Sequence, residues 1–461
     1  MRNCAADAAH RTLPSWHVTA SLPLTFDVVR EMKSFLLAVV CIFMCTSMTK
    51  AQRAAGRTAE IANALWFSDS VFVRRTMYVA GGRFTAQRPK RIDERIDLAG
   101  RFIVPPYGDA HTHAFGDPTT IGSANAVHLR HGVFYAMNLL NSVTTKMSIA
   151  RELVALAGVD VVLSSAALTG PRGHPILSEE MAANGWRWDS LGFYWNALLH
   201  SHKAERDSYF VIDQPDDIAR QWRAIMASRP DVVKIFLLDT DQYASMRADT
   251  TRLDASGLDP SLVPAIVAAA HRSGRRVAAH IETAADFHVA VAAGVDIVAH
   301  LPGFALTNAA DSARAVIASA DAALAARRGI AVIPTAWLAT QRRISRGDTA
   351  QIERSLRVER QNLATLRGFG VRLAVGSDGF AETATEAAFL ASLGVFSAAE
   401  VLRVWTRDTP HLVFPKRRIG RLAEGYEASL LALVCDPLLN FSCTDSITYR
   451  MRRGRTLAHV E

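Results

Sequence analysis

A chain of 461 residues, 49% hydrophobic and 21% charged, has ordinary globular composition and is long enough for an α/β barrel with an appendage. The formal net charge of +8 is mild for this length. No basic cluster alternates with aromatic residues, which argues against a nucleic-acid-binding protein.

The segment from Met32 to Ala51 reads as a secretory signal: one basic residue, an apolar run of about a dozen residues, and a small residue at Ala51 for cleavage. The run is too short for a transmembrane helix, so no stable membrane insertion is expected after cleavage. Residues 1–31 contribute no recognisable element, and Met32 is the expected initiator. The expected location is secreted or periplasmic. Cys4, Cys41 and Cys45 lie in this leader, and only Cys435 and Cys443 remain in the mature chain. Those two either close a small loop, as an oxidising compartment permits, or stand as independent thiols.

Beyond the leader, residues 71–102 alternate short strands with turn signals: 71–73, 77–80, a hairpin turn at Gly81-Gly82-Arg83, and a half-buried pattern over 92–98. The same texture returns at 428–434 and 447–451. In between, strand-like apolar runs at 102–104, 133–136, 159–163, 232–238, 276–281, 297–299, 330–334 and 371–375 alternate with helix-like stretches. Eight such units predict an α/β fold, a (β/α)8 barrel, with a small β-sandwich domain formed from both ends of the mature chain. The expected boundaries are 1–51 for the extension and signal, 52–102 for the first sandwich part, 103–412 for the barrel and 413–461 for the second sandwich part. Residues 170–215, rich in tryptophan and tyrosine, read as an elaborated loop after strand three, suited to shaping a substrate pocket.

Candidate ligands recur at the carboxyl ends of the strands, where barrel active sites sit. His111 and His113 stand one residue apart, and on a strand such residues share a face. Lys234 interrupts the apolar strand-four run, one of only seven lysines among 52 basic residues. His280 ends strand five, His300 ends strand six, and Asp378 follows strand eight. Singly, each has a structural reading, such as a helix cap for Asp378 or a snorkelling side chain for Lys234. Jointly, all six point into one mouth, which predicts a metal site.

At this point the chain resembles the amidohydrolase superfamily, over roughly residues 71–457. The matching residues are Pro105-Pro-Tyr-Gly-Asp-Ala-His-Thr-His113, Lys234 in Val-Val-Lys-Ile, Ala279-His280, Ala299-His300-Leu-Pro-Gly303 and Gly376-Ser-Asp378. The likeness is to exported members of the imidazolonepropionase-like and Xaa-Pro dipeptidase-like branch. One departure is the Pro106-Tyr-Gly stretch, where the family usually has Gly before Ile-Asp-x-His. The resemblance implies two divalent ions, zinc by default with manganese, iron or cobalt as alternatives. His111, His113 and Asp378 would hold one ion, and His280 and His300 the other. Lys234, carboxylated by CO2, would bridge them.

The implied activity is hydrolysis of an amide, peptide or cyclic amide C–N bond of a small molecule or short peptide by a metal-bridging hydroxide. Asp378 would act as proton shuttle to the leaving amine. Esterase, lactonase or phosphotriesterase chemistry on the same site is the alternative, and a non-catalytic binding protein a third. Arg172, His174 and Tyr243 are candidate substrate residues, Arg172 as a carboxylate partner and Tyr243 as a donor to a carbonyl. Whether the protein forms a homo-oligomer stays open.

Overall fold

A computed structural model describes residues 57–303, 311–344, 349–379 and 383–457. The expected signal segment and the three leader cysteines lie outside the described residues. No helix among the described residues is long and apolar enough to cross a membrane.

The first strands are β1 (Thr58–Ser68), β2 (Val71–Ala80), β3 (Arg83–Thr85), β4 (Glu94–Asp97) and β5 (Phe102–Val104). β1 was not foreseen from the sequence, and the two short strands expected at 71–73 and 77–80 are one strand, β2. β1 changes neighbours halfway along. It pairs antiparallel with β2 along its length, while its other edge meets β4 through Ala59–Ala62 and then β5 through Leu65 and Trp66. A register shift between Ile61 and Ala64, with Asn63 in the left-handed region at φ 63°, makes the exchange.

The barrel strands follow: β6 (Tyr107–Thr112), β7 (Val133–Asn138), β8 (Asp160–Thr169), β9 (Tyr209–Val211), β10 (Val232–Phe236), β11 (Arg276–His280), β12 (Ile297–Ala299), β13 (Ala331–Ile333) and β14 (Arg372–Leu373). All pairings among them are parallel, in the order β14-β13-β12-β11-β10-β8-β7-β6, with β9 added beside β8. The ring closes beyond β14, where Ala110 donates to the Val375 carbonyl at 2.8 Å and Asp378 to the His111 carbonyl at 2.7 Å. Closure needs Gly376: a Cβ there would stand 2.8 Å from Cβ of His111. The fold is therefore a (β/α)8 barrel with a separate sheet, as expected.

The far end completes that sheet with β15 (Leu430–Leu433), β16 (Ile447–Arg452) and β17 (Arg455–Thr456). The sheet order is β17-β16-β15-β5-β1-β2-β3, so the strands from the two ends of the chain join in one sheet at the β15–β5 pair. Residues 102–104, expected as the first barrel strand, belong here instead. They pair with β15 from Phe102 opposite Leu433 to Val104 opposite Leu431, and the barrel begins at Tyr107. Between β15 and β16, Cys435 and Cys443 form a disulfide, which resolves the alternative left open above.

The amino end of the barrel is sealed by Trp405, whose ring stacks on Tyr107 at 3.7 Å and whose Nε1 donates to the Gly108 carbonyl. The excursion after β8 is more ordered than a loop. It holds the helices Ile176–Asn184 and Leu191–Leu198 before β9.

Candidate metal centre

The alternation of β6 places His111 and His113 on one face, and the closure with the segment after β14 brings Asp378 to both. Asp378 Oδ1 lies 3.0 Å from His111 Nε2 and 3.1 Å from His113 Nε2. His300 and Asp378 both follow short strands in the left-handed region, at φ 78° and 51°. Non-glycine residues adopt that region at a cost, which concentrates at functional sites. Here the turn directs the side chain into the barrel mouth.

The imidazoles form a continuous chain. Ring centroids are 5.3 Å apart from His113 to His111, 5.0 Å from His111 to His300, 4.5 Å from His300 to His280, and 5.0 Å from His280 to His174. Donor atoms of His111, His300 and Asp378 all lie within 4.8 Å of one another. That triplet takes members from both of the ion sites implied by the resemblance, so the two sets are contiguous. His280 Nε2 also lies 3.5 Å from Glu282 Oε1.

Burial dominates the electrostatics. It holds His111, His280 and His300 well below the usual imidazole range, in the neutral state that leaves a ring lone pair for a cation. Burial alone would raise Asp378, yet the adjoining rings of His111 and His300 and the hydrogen bond from His113 hold it well below the usual carboxylate range. Lys234 is 1% exposed and its Nζ has no hydrogen-bond partner among the described residues; desolvation pushes its amine down to about 7. An amine buried without an acceptor beside neutral imidazoles and a carboxylate is a poor structural ion pair. The same donor set fits divalent metal ions.

Sequence reasoning overlooked the residues that hold these donors. Asp109 accepts from the amides of His111 and Ser377 and from the Ser377 hydroxyl, tying β6 to the segment after β14. Burial pushes its carboxyl up to about 7. Its place two residues before His111 was the available signal. Thr335 Oγ1 lies 2.6 Å from His300 Nδ1 and fixes that ring, and nothing local to Thr335 announces it.

Of the substrate candidates, His174 reaches the centre. Its ring packs on His280 and Phe236, and its Nδ1 lies 3.0 Å from Asp254 Oδ2, a residue 80 positions away. Arg172 turns elsewhere, with Nη2 donating to the Arg247 carbonyl at 3.0 Å. Tyr243 has Asp259, Arg247 and Asp213 as its electrostatic neighbours, and burial raises its phenol. Neither of these two touches the donor residues through any contact among the described residues.

The profile of the amidohydrolase family matches residues 229–457. Among solved structures, the ochratoxinase of A. niger superposes with a TM-score of 0.66 at 17% identity, over 87% of this chain and 95% of that one. A Xaa-Pro dipeptidase with methionine bound in its active site gives 0.66 at 17% identity, over 87% and 100%. Molinate hydrolase gives 0.63 at 16% identity, over 87% and 95%. No curated protein matches the sequence.

Proposed function

The chain belongs to the amidohydrolase superfamily, and from that premise we propose that it hydrolyses an amide, peptide or cyclic amide C–N bond of a small substrate at the Asp378 centre. The observation that carries this reading is the convergence of His111, His300 and Asp378 donors within 4.8 Å beside the unpartnered amine of Lys234. His111, His113 and Asp378 would hold one divalent ion and His280 and His300 a second, zinc in each case. Such ions, when bound, would supply Lewis acidity and lower the pKa of water toward neutrality.

The chain's own residues do the rest. Lys234, with its amine pushed down to about 7, is in substantial part unprotonated at neutral pH; that form can add its lone pair to the carbon of CO2 and lose a proton, which yields an anionic oxygen donor. Asp378 takes a proton from the attacking water on one carboxylate oxygen and returns it to the departing nitrogen, which would otherwise leave as a strongly basic amide anion. His174, fixed by Asp254, stands beside His280 where a substrate's polar group would arrive. A dipeptide or N-acylated amino acid is the first substrate class to examine, since a Xaa-Pro dipeptidase shares the fold. The signal segment and the Cys435–Cys443 disulfide together support an extracytoplasmic location.

The test is metal content by mass spectrometry on the mature chain, expressed with bicarbonate, followed by a panel of dipeptides, acylated amino acids, lactones and phosphotriesters. Two equivalents that fall when Lys234 is changed to Ala, with turnover confined to amides, are expected. Absence of bound metal, or turnover of lactones alone, overturns the proposal.

A further inference from the structure

At the end of the barrel opposite the metal centre, where β13 enters at Ala331 and β14 at Arg372, a cleft of about 1100 Å³ opens to solvent. Five arginines line it, Arg360, Arg367, Arg372, Arg403 and Arg407, against two carboxylates, Glu400 and Asp408. Both carboxylates are already engaged, Glu400 by Arg367 at 2.8 Å and Asp408 by Arg407 at 2.8 Å. The other three arginines have no carboxylate partner among the described residues. Arg360 donates to the Leu393 carbonyl at 3.2 Å and Arg372 to the Gly329 carbonyl. Arg403 Nε is buried with no acceptor among the described residues.

Between these cations the floor is apolar, with Val371, Leu373 and Leu393 each under 10% exposed. One wall, Val404–Asp408, winds as a single π-helical turn, an irregularity that frequently marks functional sites. Tethering helix ends explains Arg360 and Arg372 in part. It does not explain Arg403, nor why the cleft collects a surplus of guanidinium over a hydrophobic floor.

We propose that this cleft binds an amphiphilic organic anion, with a phosphate or carboxylate head on Arg360, Arg372 and Arg403 and an apolar body along Val371, Leu373 and Leu393. The guanidinium forks suit planar or tetrahedral oxyanions, and the cleft's volume reaches the upper end of small-molecule sites. The site is separate from the catalytic mouth, which lies at the opposite ends of the same strands.

The test is calorimetric titration of the metal-loaded full protein with dodecyl phosphate below its micelle concentration. A single site with a dissociation constant on the order of 10 µM is expected, weakened about ten-fold in Arg403→Gln and again in Arg372→Gln, with amide turnover unchanged. Arg372 is exposed, so its variant keeps the test decisive if Arg403→Gln fails to fold. Equal affinity for dodecanol overturns the anionic role, and equal affinity for inorganic phosphate overturns the apolar one. Binding to anionic vesicles without binding of the monomeric amphiphile overturns the proposal in favour of a membrane-facing surface. Binding indifferent to both arginine changes removes the site altogether.

Discussion

Asp378 is joined to His111 twice: its Oδ1 lies 3.0 Å from the imidazole Nε2, and its amide donates to the His111 carbonyl at 2.7 Å. The backbone bond fixes where the carboxylate stands, independently of its charge. Changing Asp378 to Asn should therefore preserve position and much of the metal while removing the proton acceptor. Turnover of the best amide substrate is expected to fall by about 10²–10⁴-fold, with metal content measured alongside. Near-normal turnover would reassign the proton shuttle.

Lys234 imposes a pH dependence on the metal-free protein. Its folded pKa of about 7 lies below the unfolded value of 10.5, so between these limits the unfolded chain binds the extra proton. Stability of the chelated protein should rise with pH across that window, by up to about 1.4 kcal/mol per unit from this group. Lys234→Met should flatten that slope and raise the melting temperature at pH 7. An unchanged slope in thermal scans would show that the amine is not held neutral.

Gly376 is where barrel closure tolerates no side chain. A Cβ would meet Ile333 Cγ2 at 2.6 Å and His111 N at 2.9 Å. Gly376→Ala should cost about 1–3 kcal/mol of stability in urea titration and loosen metal binding through His111. Wild-type stability would mean the strands separate there without penalty.

Arg417 couples barrel and sheet, bonding Asp160 of β8 at 2.8 Å and Glu427 at 2.7 Å, while Glu427 accepts from Tyr135 of β7. Asp160 retains Arg452 and Arg453 when Arg417 is lost. Arg417→Met is therefore expected to cost only about 1–2 kcal/mol, read from chemical denaturation, with metal content unaffected.

Peptide mapping without reductant should return Cys435 and Cys443 as one cross-linked fragment. Reduction opens a loop of about nine residues and should lower stability by about 2–3 kcal/mol on the chain-entropy estimate.

The six donor positions were legible because five stand at or just beyond the end of a strand-like run and Lys234 breaks an apolar one, and a parallel barrel collects strand ends at one mouth. What supports them was not. Asp254 lies 80 residues from His174, and Thr335 meets His300 across 35, so no local pattern links either pair. The run at 102–104 shows the same limit for the fold. Three apolar residues suit either sheet, and only their pairing with Leu431–Leu433 decides between them. β9 was hidden in the excursion after β8 because three residues, Tyr209–Val211, carry too little alternation to register. Arg172 looked like a substrate clamp, but its left-handed backbone at φ 58° and its bond to Arg247 turn it away, and sequence does not encode that turn.

The pairing of β5 with β15 has a consequence for the newborn chain. β5 leaves the ribosome more than three hundred residues ahead of the strand it must pair with. Until Leu433 is synthesised, β5 has one edge without its partner, next to an unfinished barrel. A protein arranged this way finishes folding at the end of its synthesis rather than along it, and it depends through that interval on whatever keeps a bare strand edge from pairing with the wrong neighbour.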